Sequence, residues 1–305
     1  MPELPEVEVT RRGIAKPLHG AQVLQLRMGK PLRWPLGRDT HTFAGSTVGE
    51  ISRRGKYLWL PLAEPASQLG TAAATAPVTA PPIGPSAVPL PPAELPVEGG
   101  LLLHLGMSGS LSLSSSPQAP GPHDHFDLVT DRGTLRLNDP RRFGAVVWSP
   151  SLQHAPAATL LRRLGPEPFD DTLTVQSFHA ALQRRRTPIK ALLLSGDVVV
   201  GAGNIYACEA LFRAGIHPAL RADRISRPRA ARLLEALRST LSQALELGGS
   251  TLRDFTDVHG ASGAYQSQAG VYGRAGLACP LCGGTVKRVV HAQRSTFFCP
   301  SCQRR

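Results

Sequence analysis

Lysine is scarce in this chain: of 34 basic residues only five are Lys (Lys16, Lys30, Lys56, Lys190, Lys287) and 29 are Arg. Arg serves wherever positive charge alone is wanted, so a lysine here points to work that needs a compact ammonium able to change its protonation state. Cysteine is scarce as well. Five in 305 residues exclude a disulfide-built scaffold, and four of them crowd into the last 27 positions, which fits metal in a reducing compartment. Long apolar runs are missing. Residues 65–93 carry no charge, but their eight prolines and few bulky apolar side chains would break a spanning helix. The first 13 residues are acidic and then basic, unlike a signal peptide. Acids are short too, 22 against the 34 bases. The resulting net charge of +12 and pI near 10.3 ask for a polyanionic partner, with nucleic acid ahead of an acidic membrane surface. What is present, 42% apolar residues over 305 positions, is enough for about two soluble globular domains with real cores.

The chain opens with a short amphipathic helix, in which Leu4, Val7, Ile14 and Leu18 recur near helical spacing and Pro5 suits the first turn. Short strands follow at 23–27, 57–62, 101–105, 110–113, 126–130, 134–137 and 145–148, separated by Gly, Pro and Asp clusters. Residues 1 to about 150 therefore read as a β-rich, sandwich-like domain. Inside it, residues 61–100 hold ten prolines, three Glu, no Lys or Arg and no aromatic residue, the composition of a disordered excursion from a hairpin. Beyond about 155 the pattern turns helical, over 175–182, 188–194, 205–214 and 228–247, the last stopped by Gly248-Gly249. Gly201-Ala202-Gly203-Asn204 leads straight into the helix at Ile205. It is either an ordinary interhelix turn or a place where outward N–H groups bind phosphate.

Two constellations carry chemistry. Cys279-x2-Cys282 and Cys299-x2-Cys302, 16 residues apart, form two knuckles whose four thiolates would close a tetrahedral shell around one structural Zn²⁺. Between them, 285–290 and 295–298 read as two strands joined by His291-Ala292-Gln293-Arg294. From Val271 onward there are six Lys or Arg and no acid, which suits gripping a nucleic-acid backbone. Cys208 reads as a small core residue. The amino terminus is the second signal. Pro2 permits removal of Met1, exposing a secondary amine that is nucleophilic near neutral pH. Attack on a sugar C1′ would give an iminium ion, a good electron sink for eliminations. Glu3 adjoins that amine and Glu6 lies one turn on. Their plain alternative is to complement the helix dipole.

The run from Met1 through Pro2, Glu3, Leu4, Pro5 and Glu6 to Gly13 closely resembles the start of the bacterial formamidopyrimidine-DNA glycosylases, the 8-oxoguanine repair enzymes. Further blocks resemble that family in its order: 53–58, 104–111, 123–128, 139–144, 164–168, 200–207, 215–218 and 291–297. The resemblance implies an α+β protein. Its parts would be an N-terminal antiparallel β-sandwich-like domain (1–150), a C-terminal helical domain with a helix-two-turn-helix (151–268) and a four-cysteine zinc finger (269–305). It implies Pro2 as the Schiff-base nucleophile, Glu3 as the acid that assists sugar-ring opening, Lys56 as proton donor for β-elimination and Arg294 for δ-elimination. Met107, Arg141 and Phe143 match residues that fill the gap left by an extruded nucleotide; without the resemblance Met107 and Phe143 would read as core. His123, Arg141, Asn204 and Tyr272 match DNA contacts, and Lys190 is a further backbone contact. Arg185, or a neighbour among Arg184 and Arg186, stands where the family usually has Lys. Residues 249–266 match the loop over the extruded base. The partner implied is damaged double-stranded DNA, bound by a cytoplasmic monomer with no membrane association and no cofactor beyond zinc. Two other readings stand beside this one. A related endonuclease VIII-type glycosylase for oxidised pyrimidines shares the fold, and a non-enzymatic zinc-ribbon DNA-binding protein would explain the tail and charge but leave Pro2, Glu3 and Lys56 without work.

Overall fold

Helix α1 (Leu4–Leu18) has Glu3 as its N-cap residue and Pro5 in the first turn, where a missing N–H costs nothing. Leu4, Val7, Ile14 and Leu18 are all at most 1% exposed, so one apolar face anchors the helix, each such side chain contributing ~1.5–3 kcal/mol of burial. The computed structural model describes residues 2–63, 99–250, 263–291 and 293–304. Among the described residues nine strands follow α1: β1 (Val23–Met28), β2 (Thr47–Val48), β3 (Ser52–Arg54), β4 (Tyr57–Ala63), β5 (Gly100–His104), β6 (Ser110–Ser114), β7 (Asp124–Thr130), β8 (Gly133–Asn138) and β9 (Ala145–Ser149). They make two antiparallel sheets, β1-β7-β8-β6 and β2-β4-β5-β9, with β3 beside β4. Leu26, Phe126, Leu128 and Leu135 of the first sheet meet Leu58, Leu60, Leu101 and Leu103 of the second and the apolar face of α1 in one core. This is the sandwich-like domain that the series of short strands indicated. Tyr57 pairs with His104 and Pro61 with Gly100, so β4 and β5 are hairpin neighbours. The expectation of disorder over 61–100 is corrected at its ends, where residues 61–63 belong to β4 and Gly100 to β5; residues 64–98 lie outside the described residues.

The second half is built, among the described residues, on five α-helices: α2 (Ala157–Leu161), α3 (Val175–Gln183), α4 (Ile189–Ser195), α5 (Asn204–Arg213) and α6 (Arg227–Glu246). Leu233, Leu237 and Leu241 of α6 are fully buried against α3 and α5, as their spacing indicated. The short α2 was not expected. Its Ala157, Leu160 and Leu161 pack on Trp59 and Val147, and that tertiary support holds a helix too short to stand alone. The α4–α5 turn reaches back to α1: Leu4 N–H donates to the Gly201 carbonyl at 3.1 Å. Gly201 has φ +96°, and a Cβ there would lie 2.4 Å from Leu4 Cδ1, so only glycine lets the turn close on the helix. Among the described residues no helix is long and apolar enough to cross a membrane.

The C-terminal hairpin pairs β10 (Lys287–His291) with β11 (Arg294–Phe298). Its first strand starts two residues later than expected, because Thr285 bridges Ala278 and the Val286 N–H donates to Leu277. Glu209, 1% exposed in α5, fixes the approach to the finger by accepting the Gly270, Val271 and Tyr272 N–H groups at 2.8, 3.0 and 2.7 Å. Cys208 packs with Phe212, Val271, Cys279 and Val286, a core role as read from sequence.

Candidate active site and DNA-facing surface

Segments far apart in sequence meet at the start of α1. The Glu3 carboxylate is 2% exposed; Oε2 accepts the Gly203 N–H at 2.7 Å and Oε1 the Ile205 N–H at 3.1 Å. The anion at the α5 N-terminus is therefore Glu3 itself, which corrects the reading of Gly201-Ala202-Gly203-Asn204 as a phosphate site. Glu3 thus complements the dipole of α5 as well as capping its own helix. Glu6 accepts the Glu3 N–H at 2.7 Å, the Ser250 N–H at 2.7 Å and the Tyr206 hydroxyl, tying α1 to α5 and to the end of α6. Burial pushes the Glu3 carboxyl above its ordinary range, with the Glu6 charge adding, against Lys56 and the two N–H donors. A carboxyl that holds its proton closer to neutrality can donate it. Pro2 is buried beside it, and Met1 lies outside the described residues.

Lys56 sits on the β3–β4 turn, which Glu167 clamps from the other domain. Glu167 accepts the Gly55 N–H at 2.6 Å, Arg53 at 2.8 Å and Arg54 at 2.9 Å, while Arg54 also donates to the Leu164 and Gly165 carbonyls. Glu8 holds Arg53 from α1 at 3.1 Å; burial opposes its charge, but hydrogen bonds from Arg11 and Arg12 hold its carboxyl at about 2. Burial pushes the Lys56 ammonium below its ordinary range and Arg294 adds to this, with Glu3 and Glu6 opposing. Lys56 is thus no solvated surface charge. Beside it lies a cavity of about 180 Å³, lined by Lys56, Tyr57 and His104 from the β domain and by Leu194, Val200 and Gly201 from the helices. Burial, then the charges of Lys56 and Arg33, pull His104 down to about 4, and its Nδ1 accepts the Gly106 N–H at 3.0 Å.

The finger is locked onto this centre. Lys190 is 3% exposed and donates to Asn204 Oδ1 at 2.6 Å, Thr296 Oγ1 at 2.7 Å and the Ser295 carbonyl at 3.2 Å. All three ammonium protons have acceptors, so the DNA-backbone contact expected of Lys190 is corrected to an internal one. Asn204 donates to Ser295 O at 3.0 Å and Tyr272 Oη at 3.3 Å, and the Tyr272 ring lies 4.9 Å from that of Phe297. Arg294 follows the turn residue Gln293, whose φ is +60°, and its guanidinium comes within electrostatic reach of Lys56 and Lys190. At the finger's base the sulfurs of Cys279, Cys282, Cys299 and Cys302 all lie within 4.8 Å of one another, Cys279–Cys302 at 3.9 Å and Cys282–Cys299 at 3.5 Å. A tetrahedral Zn²⁺ with ~2.3 Å bonds needs sulfurs ~3.8 Å apart, so the four fit one closed, structural zinc site.

Met107 lies in the β5–β6 loop and is half-buried; Arg141 and Phe143 lie in the β8–β9 loop and are exposed, Phe143 at 44% with the Arg141 guanidinium 4.9 Å over its ring. Phe143 is not a core residue. His123 and Arg185 are exposed, His123 just before β7 and Arg185 just after α3. Of the 249–266 loop, residues 251–262 lie outside the described residues. Sequence reasoning missed Glu167 and Glu209 and left Glu6 as a dipole residue. Only Glu209 announced itself, as a charge inside the apolar run of α5.

The chain matches the formamidopyrimidine-DNA glycosylase N-terminal domain over residues 1–146, the H2TH domain of the same enzymes over 164–256, and a zinc finger found in FPG and IleRS over 276–305. Formamidopyrimidine-DNA glycosylases of Variovorax paradoxus and Acidovorax sp. are each 50% identical over 304 residues, covering 100% of both chains. Among solved structures, MutM (Fpg) of Thermus thermophilus superposes with TM-score 0.80 at 37% identity, covering 99% of this chain and 98% of that one. A Lactococcus lactis FPG mutant bound to Fapy-dG-containing DNA gives 0.82 at 28% identity, with 100% of each chain covered. Both sequence and structure match end to end, and the chain belongs to the formamidopyrimidine-DNA glycosylase family.

Proposed function

We propose that this protein excises oxidised purines, 8-oxoguanine and formamidopyrimidines, from duplex DNA and then nicks the strand as an AP lyase. One observation carries the reading: the buried Glu3 carboxyl at the mouth of α5, beside Pro2, with Lys56 from the β domain and Arg294 from the finger within electrostatic reach of one another. A nucleophile, an acid of raised pKa and two cations from three separate segments have no shared use in folding. They have one in iminium chemistry. The Pro2 amine attacks C1′ and the base leaves with its bonding pair, while Glu3 gives its proton to the ring oxygen as the sugar opens. Water takes a C2′ proton, and the electron pair left behind expels the 3′ phosphate, which Lys56 protonates; a second elimination, assisted by Arg294, gives the C4′ proton to water and expels the 5′ phosphate, and hydrolysis of the remaining iminium frees Pro2. Burial moves the Glu3 carboxyl up and the Lys56 ammonium down, each toward easier exchange of its proton.

Damaged double-stranded DNA lies in the cleft between the β domain (1–150) and the helical domain (151–268), gripped by the finger (269–305), where the net charge of +12 favours the phosphates. His123, Arg141, Arg185, Asn204 and Tyr272 border this path, the last two by holding the finger hairpin. Zinc enters no step and keeps the hairpin folded. The protein works as a cytoplasmic monomer. Incubation with duplexes carrying 8-oxoguanine or an oxidised pyrimidine tests the reading. Preferential release of 8-oxoguanine followed by a gap with phosphate at both ends supports it. Preference for the pyrimidine favours the endonuclease VIII-type alternative, and binding without cleavage favours the zinc-ribbon one.

A further inference from the structure

A buried carboxylate that the reaction does not use lies between the two loops carrying Met107 and the pair Arg141 and Phe143. Asp139 is 0% exposed. Its Oδ1 accepts the Ser108 hydroxyl at 2.8 Å and the Arg141 N–H at 3.3 Å; its Oδ2 accepts the Gly144 N–H at 2.7 Å; its own carbonyl accepts the Arg142 N–H at 3.1 Å. One residue thus holds the first loop next to Met107 and the second on both sides of Phe143. The second loop needs holding. Arg142, between Arg141 and Phe143, has φ +54°, a left-handed conformation that a non-glycine residue keeps only where its surroundings impose it. Outside this frame Phe143 stands 44% exposed under the Arg141 guanidinium, an aromatic ring presented to solvent from a rigid base.

We propose that Asp139 is a positioning residue that locks Met107, Arg141 and Phe143 into one wedge, so that the three enter the duplex together and not one by one. This rests on the reading that they fill the space of the extruded nucleotide. The aspartate is specific to the task. Asn at this position has one acceptor oxygen, so either the Arg141 or the Gly144 N–H would face an NH2 group and the second loop would loosen around Phe143 and shift against Met107.

The test uses single-turnover cleavage of two substrates by the full chain. An 8-oxoguanine duplex needs the wedge; a single-stranded abasic oligonucleotide has no opposite strand or stack to support. Asp139→Asn is expected to slow the duplex reaction ~10-fold or more, in line with the cost of misplacement by a fraction of an ångström, and to leave the single-strand reaction within about threefold. It is also expected to blunt the fluorescence rise of 2-aminopurine placed opposite the lesion. Met107→Ala and Phe143→Ala should be strongly non-additive in the parent and should multiply independently in the Asp139→Asn background. Ser108→Ala, which removes one bond of the bracket, should show the same pattern more weakly and serves if Asp139→Asn melts too low. Equal losses on both substrates, or an undiminished duplex rate in both variants, overturns the proposal. Undiminished duplex cleavage by Met107→Ala and Phe143→Ala themselves would show instead that the wedge reading beneath it is wrong.

Discussion

One methyl group at Gly203 tests whether Glu3 must sit where it does. The Gly203 backbone has φ −106° and ψ −152°, extended values that alanine adopts without strain, so the perturbation is purely steric. The new Cβ would lie 2.2 Å from Glu3 Cδ and 2.4 Å from Oε1, more than 1 Å inside the ~3.5 Å of ordinary contact. Gly203 opens a helix whose core side is fixed, so the carboxylate is what moves. It then gives up the Gly203 and Ile205 N–H groups. Two charge-assisted bonds at ~1.5–3 kcal/mol each set a ceiling of ~3–6 kcal/mol, and partial rehydration brings the expected loss to ~2–4 kcal/mol. For a chain of this size that lowers Tm by roughly 3–6 °C. Displacement of an acid by ~1 Å costs ~10²-fold in rate. Below its Tm, Gly203→Ala should therefore release 8-oxoguanine ~10²-fold more slowly in single turnover while cleaving a preformed abasic site far better, because that sugar already exchanges with its open aldehyde form and depends less on the acid. Parental release of 8-oxoguanine, or equal loss on both substrates, would refute the reasoning.

Glu3→Gln removes the acidic proton in place, and base release should fall ~10²-fold or more with smaller loss at a preformed abasic site; equal loss on both would make Glu3 a structural cap of α5 only. Cys282→Ser, or strong chelation, should unfold the hairpin that carries Arg294 and abolish gel-shift binding to damaged duplex; normal binding by metal-free protein would contradict this. For His104 the folded pKa of about 4 lies below the unfolded 6.5, so the unfolded chain binds the extra proton between them. Its stabilising contribution is complete above 6.5 and is lost as pH falls through that window, protonation also breaking the bond from Gly106 N–H. His104→Asn, which keeps an acceptor for that N–H, should lose less Tm than the parent between about pH 7.5 and about pH 5. An identical loss would show that another group governs acid stability.

Much of this arrangement was legible in the chain. Continuous apolar runs bounded by turn residues mark β4 and β5 as strands, and both are buried along nearly their whole length. The leucine stripe of α6 does the same at helical spacing, and four cysteines in two knuckles leave one tetrahedral arrangement open. Scarcity of lysine drew notice to all five, and the family resemblance picked out Lys56 among them. What stayed hidden was the use of buried charge. Glu3 and Glu167 look in sequence like any surface acid, since nothing local says that partners 200 and 112 residues away will supply the N–H groups that make burial tolerable. Lys190 misled for the same reason. A lysine near a DNA-binding turn suits a phosphate contact until tertiary structure brings Asn204, Ser295 and Thr296 around it. Phe143 reads as core because aromatic residues usually are; that it stands exposed follows from the Arg142 turn, whose left-handed backbone no non-glycine sequence advertises.

The central claim, that the amine of Pro2 forms a covalent iminium with C1′, is tested most directly by borohydride treatment of the protein on an 8-oxoguanine duplex, followed by peptide mapping of the reduced adduct. The account predicts a stable protein–DNA adduct whose modified residue is Pro2 at a mature N-terminus, absent when Met1 is retained. An adduct at Lys56, or base release with no trappable adduct, would contradict it.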